Sequence, residues 1–468
     1  MEHCRAVRIS RLMRLGCVVR VVVGAVLLYP SASSPVSFVA PCATRGSRWN
    51  GSHRARRTPS MTSLRTARRN ARRLIVDTDL GPDDLVALAI LRLQQCVNQS
   101  GKGRRECTNL TNFRLHGVTL TPGISRAAPE NAALLRRLLP PNTLVYVGED
   151  ATKYRDEDKP AWWGRTADQV SSFLESLPPA TDEGGVSSSD KMTTTSAEEF
   201  IAGNVDDPNV DILCMAPLST VARALRIRRK RPAGGSSPGA NFYVMGGIRA
   251  DSKATKRGES TSPLGHDRND CDGGGELGEF NFALDIEATR EVLSSVSSAR
   301  IIPLEACTFV PDSLRSGPPL VTLASMLSDV QQQPALHVDR FDPATNELAA
   351  AQSILLELLH EFGTKGAQWD SILAAIYCNV FDSNENSGGG AKSMAQKVNP
   401  GELEMSELGA LSFPGCGHVT DGVMLDDNAS SEKDPGSGCR EAHHVYPNFT
   451  TGDESRFFLY LLSLLNSR

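Results

Sequence analysis

Short apolar runs alternate with segments whose apolar residues recur at helical spacing, and this alternation governs the chain from Leu74 onward. The predicted strands cover residues 74–76, 115–120, 144–147, 210–215, 241–245 and 299–304. The predicted helices cover residues 83–93, 129–139, 218–226, 286–295, 349–362, 371–377 and 454–465. Strands that alternate with helices predict an α/β fold, in which flanking helices cover an open, mostly parallel sheet.

Four stretches interrupt this alternation and are predicted to be surface insertions. They span Thr181–Ser196, Arg229–Ala240, Asp251–Gly275 and Phe381–Asn399, and each is rich in Gly, Ser, Asn or charged residues. Such a composition offers too little apolar surface to form part of a packed core.

The first 72 residues are predicted to be a targeting or disordered segment, followed by one domain at residues 73–468. Residues 1–73 contain 15 Arg and a single acidic residue, Glu2. Their apolar run, VVVGAVLLY at 21–29, is much shorter than the ~20 residues of a membrane-spanning helix, and no later run is long enough. Three interpretations stay open: a secretory signal, an organelle transit peptide, or translation from Met61, which would give a cytoplasmic protein.

The composition of the remaining chain excludes several classes of function. After position 73 there are 35 basic and 53 acidic residues, whereas a nucleic-acid-binding surface needs a basic footprint. The 11 cysteines are widely spaced without a CxxC pair, so we expect neither a disulfide framework nor a cysteine metal site. The adjacent His443 and His444 are predicted to be solvated loop residues.

An acidic cluster follows the first predicted strand and precedes the first predicted helix. Asp77, Asp79, Asp83 and Asp84 lie within eight residues, at the edge of the sheet where open α/β folds bind ligands. Four like charges repel one another, and a divalent cation with oxygen ligands, such as Ca²⁺ or Mg²⁺, would relieve that repulsion. The alternative is that Asp83 and Asp84 only stabilise the helix N-terminus while the other two cap a loop.

Residues 76–84, VDTDLGPDD, resemble the DTDxGxDD signature of the inosine-uridine preferring nucleoside hydrolases. Further segments resemble this family in the same order along most of residues 74–465. They are HGVT at 116–119, ENA at 130–132, VYVG at 145–148, APLS at 216–219, VMGG at 244–247, GEFN at 278–281 and WD at 369–370.

The resemblance implies a calcium-dependent hydrolase that cleaves the N-glycosidic bond of a ribonucleoside to give free base and ribose. It implies that Ca²⁺ is bound by the carboxylates of Asp79, Asp84 and Asp370 and by the main-chain carbonyl of Met215. It also makes Asp79 the general base for an attacking water that the Ca²⁺ holds. The ribose hydroxyls would be bound by further polar residues, namely Asp83, Glu279, Asn281 and Asn269.

The residue before Asp370 indicates which nucleobase the enzyme prefers in its substrate. Many family members have a His there, whereas this chain has Trp369, in which it resembles the purine-preferring branch. We therefore expect Trp369 and one of Trp162 and Trp163 to stack on a purine, with simple core or loop packing as the alternative. The family is usually dimeric or tetrameric, so the resemblance also implies a homodimer or homotetramer.

Two other functions stay open at this stage. A haloacid-dehalogenase-like phosphatase also begins with a strand and a DxD pair, here Asp77 and Asp79, but it does not predict the GEFN segment. The second alternative function is that of a family relative that binds ribonucleosides without hydrolysing them. It is suggested by departures from the family pattern at Ile124, Ala216 and Thr220.

Overall fold

The computed structural model describes most of the chain from residue 71 onward, and every described residue belongs to one unit, Arg68–Arg468. The described residues are 71–100, 112–140, 143–149, 161–178, 195–231, 237–249, 279–307, 343–362, 369–380, 396–398, 404–405, 410–412, 443–446, 457, 460–461, 463–465 and 467. Among these residues, no helix combines the length and the apolar character that crossing a membrane requires.

Eleven strands and ten helices carry the described fold. The strands are β1 (Arg72–Thr78), β2 (Phe113–Leu120), β3 (Leu144–Val147), β4 (Val210–Cys214), β5 (Asn241–Met245), β6 (Ile248–Arg249), β7 (Ala299–Ile302), β8 (Gln396–Val398), β9 (Glu404–Met405), β10 (Ala410–Ser412) and β11 (His443–Val445). The helices are α1 (Pro82–Ser100), α2 (Pro129–Leu135), α3 (Ala161–Ser176), α4 (Ala197–Asn204), α5 (Ser219–Arg229), α6 (Phe280–Leu284), α7 (Ile286–Ser295), α8 (Leu304–Cys307), α9 (Pro343–Glu361) and α10 (Trp369–Tyr377).

The main sheet has eight strands in the order β3-β2-β1-β4-β5-β7-β11-β8. Seven of them are parallel, and β8 pairs antiparallel with β11 at one edge. A second, three-stranded sheet has the order β6-β10-β9. The predicted open, mostly parallel sheet is therefore confirmed, and each of the six predicted strands is present.

Helices cover both faces of the main sheet, and β1 shows how the sequence dictates this. Leu74 and Val76 pack in a core with α1, α9 and α10, while Ile75 packs in a second core with α4, α5 and α7. Successive side chains of a strand point to opposite faces, so an unbroken apolar run is what a strand buried on both faces requires.

Helix α2 is shorter than its predicted span of 129–139. It ends at Leu135, and the next turns are closed by tighter bonds from the amide of Arg137 to the carbonyl of Leu134 and from Leu138 to Leu135. Pro140 then follows. A proline cannot continue a helix, and the residue before it is pushed out of helical geometry.

The edge strand β8 and its neighbour β11 correct two sequence predictions. His443 is wholly buried rather than solvated, because its Nδ1 accepts from the Ala299 amide at 3.0 Å and its Nε2 donates to the Leu293 carbonyl at 3.0 Å. The predicted insertion at 381–399 contains β8, so its last part belongs to the sheet.

The predicted insertions at 181–196 and 229–240 are described only at their ends, and none of the insertion at 251–275 is described. Ser196 caps α4, Arg229 is the last residue of α5, and residues 237–240 lead into β5. Residues 181–194, 232–236, 251–275 and 381–395 lie outside the described residues, as does Asn269.

Candidate active site

The turn between β1 and α1 brings two aspartates onto one main-chain amide. The Gly81 amide donates to Asp84 Oδ2 at 2.9 Å and to Asp79 Oδ1 at 3.2 Å. Leu80, between Asp79 and Gly81, has a φ of 60°, a left-handed conformation that a branched side chain rarely adopts. Its side chain is buried in the core, which holds this uncommon conformation in place.

Three carboxylates meet where α1 and α10 begin. Asp83, Asp84 and Asp370 each contribute one oxygen, and these atoms lie within 4.8 Å of one another. Asp84 and Asp370 are buried, and Asp83 is partly exposed. Asp370 Oδ1 is buried and accepts no hydrogen bond from any described residue. A buried oxygen without a donor, beside two other carboxylates, fits a hard divalent cation.

The electrostatics of this cluster point the same way. Burial raises the pKa of Asp370 well above its ordinary value, and the neighbouring Asp84 and Asp83 carboxylates raise it further. Burial also raises the pKa of Asp84 well above its ordinary value, with Asp79 and Asp83 adding to the effect. Ionising all of these carboxylates costs electrostatic free energy unless a cation binds between them.

Asp79 lies beside this cluster with both oxygens held by main-chain amides. In addition to the Gly81 contact, its Oδ2 accepts from the Ile124 amide at 2.9 Å. Burial raises the pKa of Asp79 to about 7, and the Asp83 charge contributes. The predicted ligand set contained Asp79, Asp84 and Asp370, whereas the three closest carboxylates include Asp83, which was predicted to bind ribose.

Asp77, for which sequence analysis found no separate role, lies fully buried beneath the site. Its Oδ1 accepts from the hydroxyls of Thr119 at 2.6 Å and Thr121 at 2.7 Å, and its carbonyl accepts from the Met215 amide at 2.8 Å. Burial raises the pKa of Asp77 to about 7. These bonds tie the ends of β1, β2 and β4 together under the acidic cluster. The two threonines were not identified from sequence because a threonine in a strand is ordinary.

Glu279 and Asn281 join the ends of β4 and β5 to α6. Glu279 Oε1 accepts from the Asn281 amide at 2.9 Å, and its Oε2 accepts from the Gly247 amide at 2.9 Å. The Asn281 side-chain amide donates to the carbonyls of Met215 and Met245, each at 3.4 Å. The Met215 carbonyl, a predicted metal ligand, is thus in contact with a predicted ribose ligand.

The tryptophans occupy different settings. Trp369 begins α10 directly before Asp370 and is partly exposed. Trp163 is only 2% exposed and packs edge-to-face on Phe280, with ring centroids 5.2 Å apart. Trp162 belongs to α3, but its side chain lies outside the described residues.

Comparison with known families agrees with this geometry. The family model for "Inosine-uridine preferring nucleoside hydrolase" matches residues 74–401. The chain belongs to this family. It is therefore an N-glycosyl hydrolase of ribonucleosides, and this assignment disfavours the phosphatase and the inactive binding protein.

Solved structures similar to this nucleoside hydrolase include an inosine-uridine preferring nucleoside hydrolase from Bacillus anthracis. It shares 17% identity over 85% of this chain and 100% of that chain, with a TM-score of 0.48. A purine-preferring ribonucleoside hydrolase from Gardnerella vaginalis shares 14% identity over 84% and 99% of the two chains, also with a TM-score of 0.48. Both scores are too low to support an inference about this chain. No curated protein matches it.

Proposed function

We propose that this nucleoside hydrolase cleaves purine ribonucleosides in preference to pyrimidine ribonucleosides, with Ca²⁺ at the acidic cluster. The observation that carries the proposal is the convergence of Asp83, Asp84 and Asp370 beside Asp79, in which the buried Asp370 Oδ1 has no donor among the described residues. Such a concentration of buried carboxylates is costly without a cation.

The oxygen donors of the site suit calcium. Asp84 and Asp370 would hold the ion, with Asp79 and the Met215 carbonyl completing the protein ligands. Carboxylate and carbonyl oxygens are the ligands that Ca²⁺ prefers, and its flexible coordination tolerates a mixed set. When bound, the ion would supply a Lewis acid that lowers the pKa of a water molecule.

Asp79 is the proposed general base. Its carboxylate lies beside those of Asp83 and Asp84, so it can accept a proton from a water molecule that the ion would hold there. The amides of Gly81 and Ile124 hold its two oxygens, so the carboxylate is oriented before substrate arrives. Orientation of this kind lowers the entropic cost of the proton transfer.

Asp83, Glu279 and Asn281 are the proposed ribose ligands, and Asn269 is a further candidate. Cleavage of an N-glycosidic bond passes through an oxocarbenium-like transition state, which carries positive charge on the sugar. A site surrounded by carboxylates stabilises that charge more than the neutral substrate, which is what catalysis requires. The same polar groups favour ribose, because a missing hydroxyl would leave them without a partner.

Trp369 carries the proposed purine preference, with Trp162 as the other candidate, because Trp163 is only 2% exposed. An indole stacked on a base gains more from a two-ring purine than from a pyrimidine, by roughly 0.5–1.5 kcal/mol. We therefore expect kcat/KM on inosine to exceed that on uridine by about 2- to 10-fold. Trp369→Ala should remove most of that difference.

The direct test is ribose release from inosine and from uridine by the full chain, with Ca²⁺ and after chelation. We expect release with Ca²⁺ and at least about a 100-fold loss after chelation or in Asp370→Asn. Asp168→Asn is the matched control, because it makes the same chemical change at an exposed carboxylate of α3.

Different failures identify different errors. Equal rates on inosine and uridine would remove the purine preference alone. Full activity after chelation would remove the metal. Tight nucleoside binding without release, or phosphate release from p-nitrophenyl phosphate, would overturn the proposed reaction.

A further inference from the structure

A small apolar cluster lies between three segments that supply the active site. It consists of Trp163 from α3, Phe280 and Leu284 from α6, and Ile124 from the loop after β2, and we refer to it as the Trp163 cluster. Trp163 and Phe280 are buried, and their rings meet edge-to-face at an interplanar angle of 72°. This geometry is the favourable one for two aromatic rings.

The Ile124 end of the cluster is hydrogen-bonded to Asp79, the proposed general base. The Ile124 amide donates to Asp79 Oδ2 at 2.9 Å, and the Ser125 amide donates to the Asp79 carbonyl at 3.0 Å. The Gly123 amide in turn donates to the Ser125 carbonyl at 3.1 Å, which closes the turn. The position of the Ile124 side chain therefore determines the positions of the Ile124 and Ser125 amides, which donate to Asp79.

The Phe280 end of the cluster lies between two proposed ribose ligands. Glu279 precedes Phe280 and Asn281 follows it, and all three are buried. Helix α6 has only five residues, too few for a helix to be stable by its own hydrogen bonds. The burial of Phe282 in the core with α4, α5 and α7, the packing on Trp163 and the hydrogen bonds of Glu279 therefore hold it in place.

We propose that Trp163 is a positioning residue, which keeps Asp79 in register with Glu279 and Asn281 rather than stacking on the nucleoside base. With 2% of its surface exposed, the indole has no open face for a base. It packs instead on Phe280, which lies between two proposed ribose ligands. The cluster also includes Ile124, whose amide is hydrogen-bonded to Asp79. This inference rests on the proposed function, in which Asp79 and the Glu279 segment act on the same sugar.

The test compares Trp163→Ala, Trp163→Phe and Ile124→Ala with Phe173→Ala. Phe173 is the matched control, because it lies on the same helix and packs edge-to-face on Phe362 with centroids 5.6 Å apart, outside the cluster. The measurements are kcat and KM on inosine and uridine, the Kd for Ca²⁺ by calorimetry, and Tm.

We expect Trp163→Ala and Ile124→Ala to lower kcat by about 10- to 100-fold on both nucleosides, with little change in KM. We expect Ca²⁺ to bind about 10-fold more weakly, since Asp79 is a proposed ligand. Trp163→Phe should recover most of kcat. Phe173→Ala should lower Tm but leave kcat and the Ca²⁺ affinity unchanged.

When the wild type is active, two results would overturn the inference. A rise in KM confined to inosine would show that Trp163 stacks on the base. An unchanged kcat in both Trp163→Ala and Ile124→Ala would show that the cluster only stabilises the fold. If the wild type released no ribose, the proposed function would fail separately. The Ca²⁺ affinity would then decide the inference, and wild-type affinity in Trp163→Ala would overturn it.

Discussion

At the residue scale, two glycines allow the acidic side chains to pack against the main chain. A Cβ at Gly81 would lie 2.7 Å from Asp84 Oδ2, 3.1 Å from Asp83 Oδ1 and 3.6 Å from Asp79 Oδ1. A Cβ at Gly123 would lie 2.0 Å from Asp79 Oδ2 and 2.5 Å from Asp79 Cβ. The missing side chains are thus part of the site, because the carboxylates occupy the space that a methyl group would fill.

Gly123→Ala should therefore displace Asp79 and its amide donors. We expect kcat/KM on inosine to fall about 100-fold or more, since a misplaced catalytic group loses most of its advantage. Gly203→Ala is the matched control. Gly203 lies in α4, and a Cβ at this position would have no atom within 4 Å. That control should gain roughly 0.5–1 kcal/mol of stability and keep its activity. Wild-type kcat/KM in Gly123→Ala would contradict this packing.

The residues predicted from sequence and those found only in the structure differ in chemical kind. The DTDLGPDD segment and the late aspartate identify the carboxylates, since clustered charge is rare in a buried strand end. The amides of Gly81 and Ile124 bind Asp79 through the main chain, which every residue has, so no side-chain pattern predicts them. The Thr119 and Thr121 bonds to Asp77 depend on strand pairing, which sequence alone does not give.

At the element scale, α10 connects the active site to the opposite end of the sheet. Its first turn carries Asp370, and its last residue is Tyr377. The Tyr377 hydroxyl donates to the buried Asp211 at 3.1 Å, and its ring packs edge-to-face with Phe113 and Tyr243. Nine helical residues rise by about 13 Å. Anchoring at Tyr377 therefore helps to fix the place of Asp370.

The elements missed in the sequence are those whose pattern is weak or whose partners are distant. Helices α3 and α4 follow stretches rich in polar residues, and α4 has only eight residues. Strand β11 has three residues, with a buried histidine in a run that resembles a loop. Its pairing with β7 and β8 supplies the hydrogen bonds that a strand of this length needs.

The contribution of His443 in β11 to the free energy of unfolding should depend on pH. Burial lowers the pKa of His443, because it disfavours the charged imidazolium. Protonation of Nδ1 would also remove the hydrogen bond that it accepts from the Ala299 amide. A histidine whose folded pKa is depressed contributes fully above the ordinary value of about 6.5, and that contribution is lost as the pH falls below it. The free energy of unfolding should therefore decrease between pH 7.5 and pH 5.

Urea titrations at a series of pH values test this expectation. His443→Gln should be less stable at pH 7.5 and should show a smaller decrease on acidification than the wild type. His444→Gln, a change at the neighbouring and partly exposed histidine, should retain most of the wild-type decrease. The same decrease in the His443 variant as in the wild type would assign the pH effect to other groups.

At the scale of the whole described unit, the two ends of the parallel sheet have different tasks. The carboxyl ends carry Asp79, Glu279 and the acidic cluster, as open α/β sheets generally do. The amino ends carry a partly buried ion pair, in which Arg72 donates two hydrogen bonds to the buried Asp211 at 2.5 and 2.6 Å. Asn241 adds a third at 2.7 Å. Arg72, the last residue of the predicted leader, is therefore the first residue of β1 and a structural contact.

The fold class could be predicted because short apolar runs alternate regularly with segments of helical spacing, whereas strand order could not. No local pattern says that β1 lies between β2 and β4, or that β8 reverses direction at the edge. The packing of Ile124 on the Trp163 cluster depends on that order, since the cluster joins the loop after β2 to α3 and α6. The acidic cluster was predictable in sequence, and the apolar cluster beside it was not.

The central claim is that a carboxylate-rich site cleaves the glycosidic bond of a ribonucleoside while binding its ribose hydroxyls. The most direct test is kcat/KM for inosine against 2′-deoxyinosine, measured with the full chain and saturating Ca²⁺. We predict that the deoxynucleoside reacts about 100-fold more slowly or worse, because its missing hydroxyl leaves buried polar groups unpaired. Comparable values for the two substrates would contradict the account.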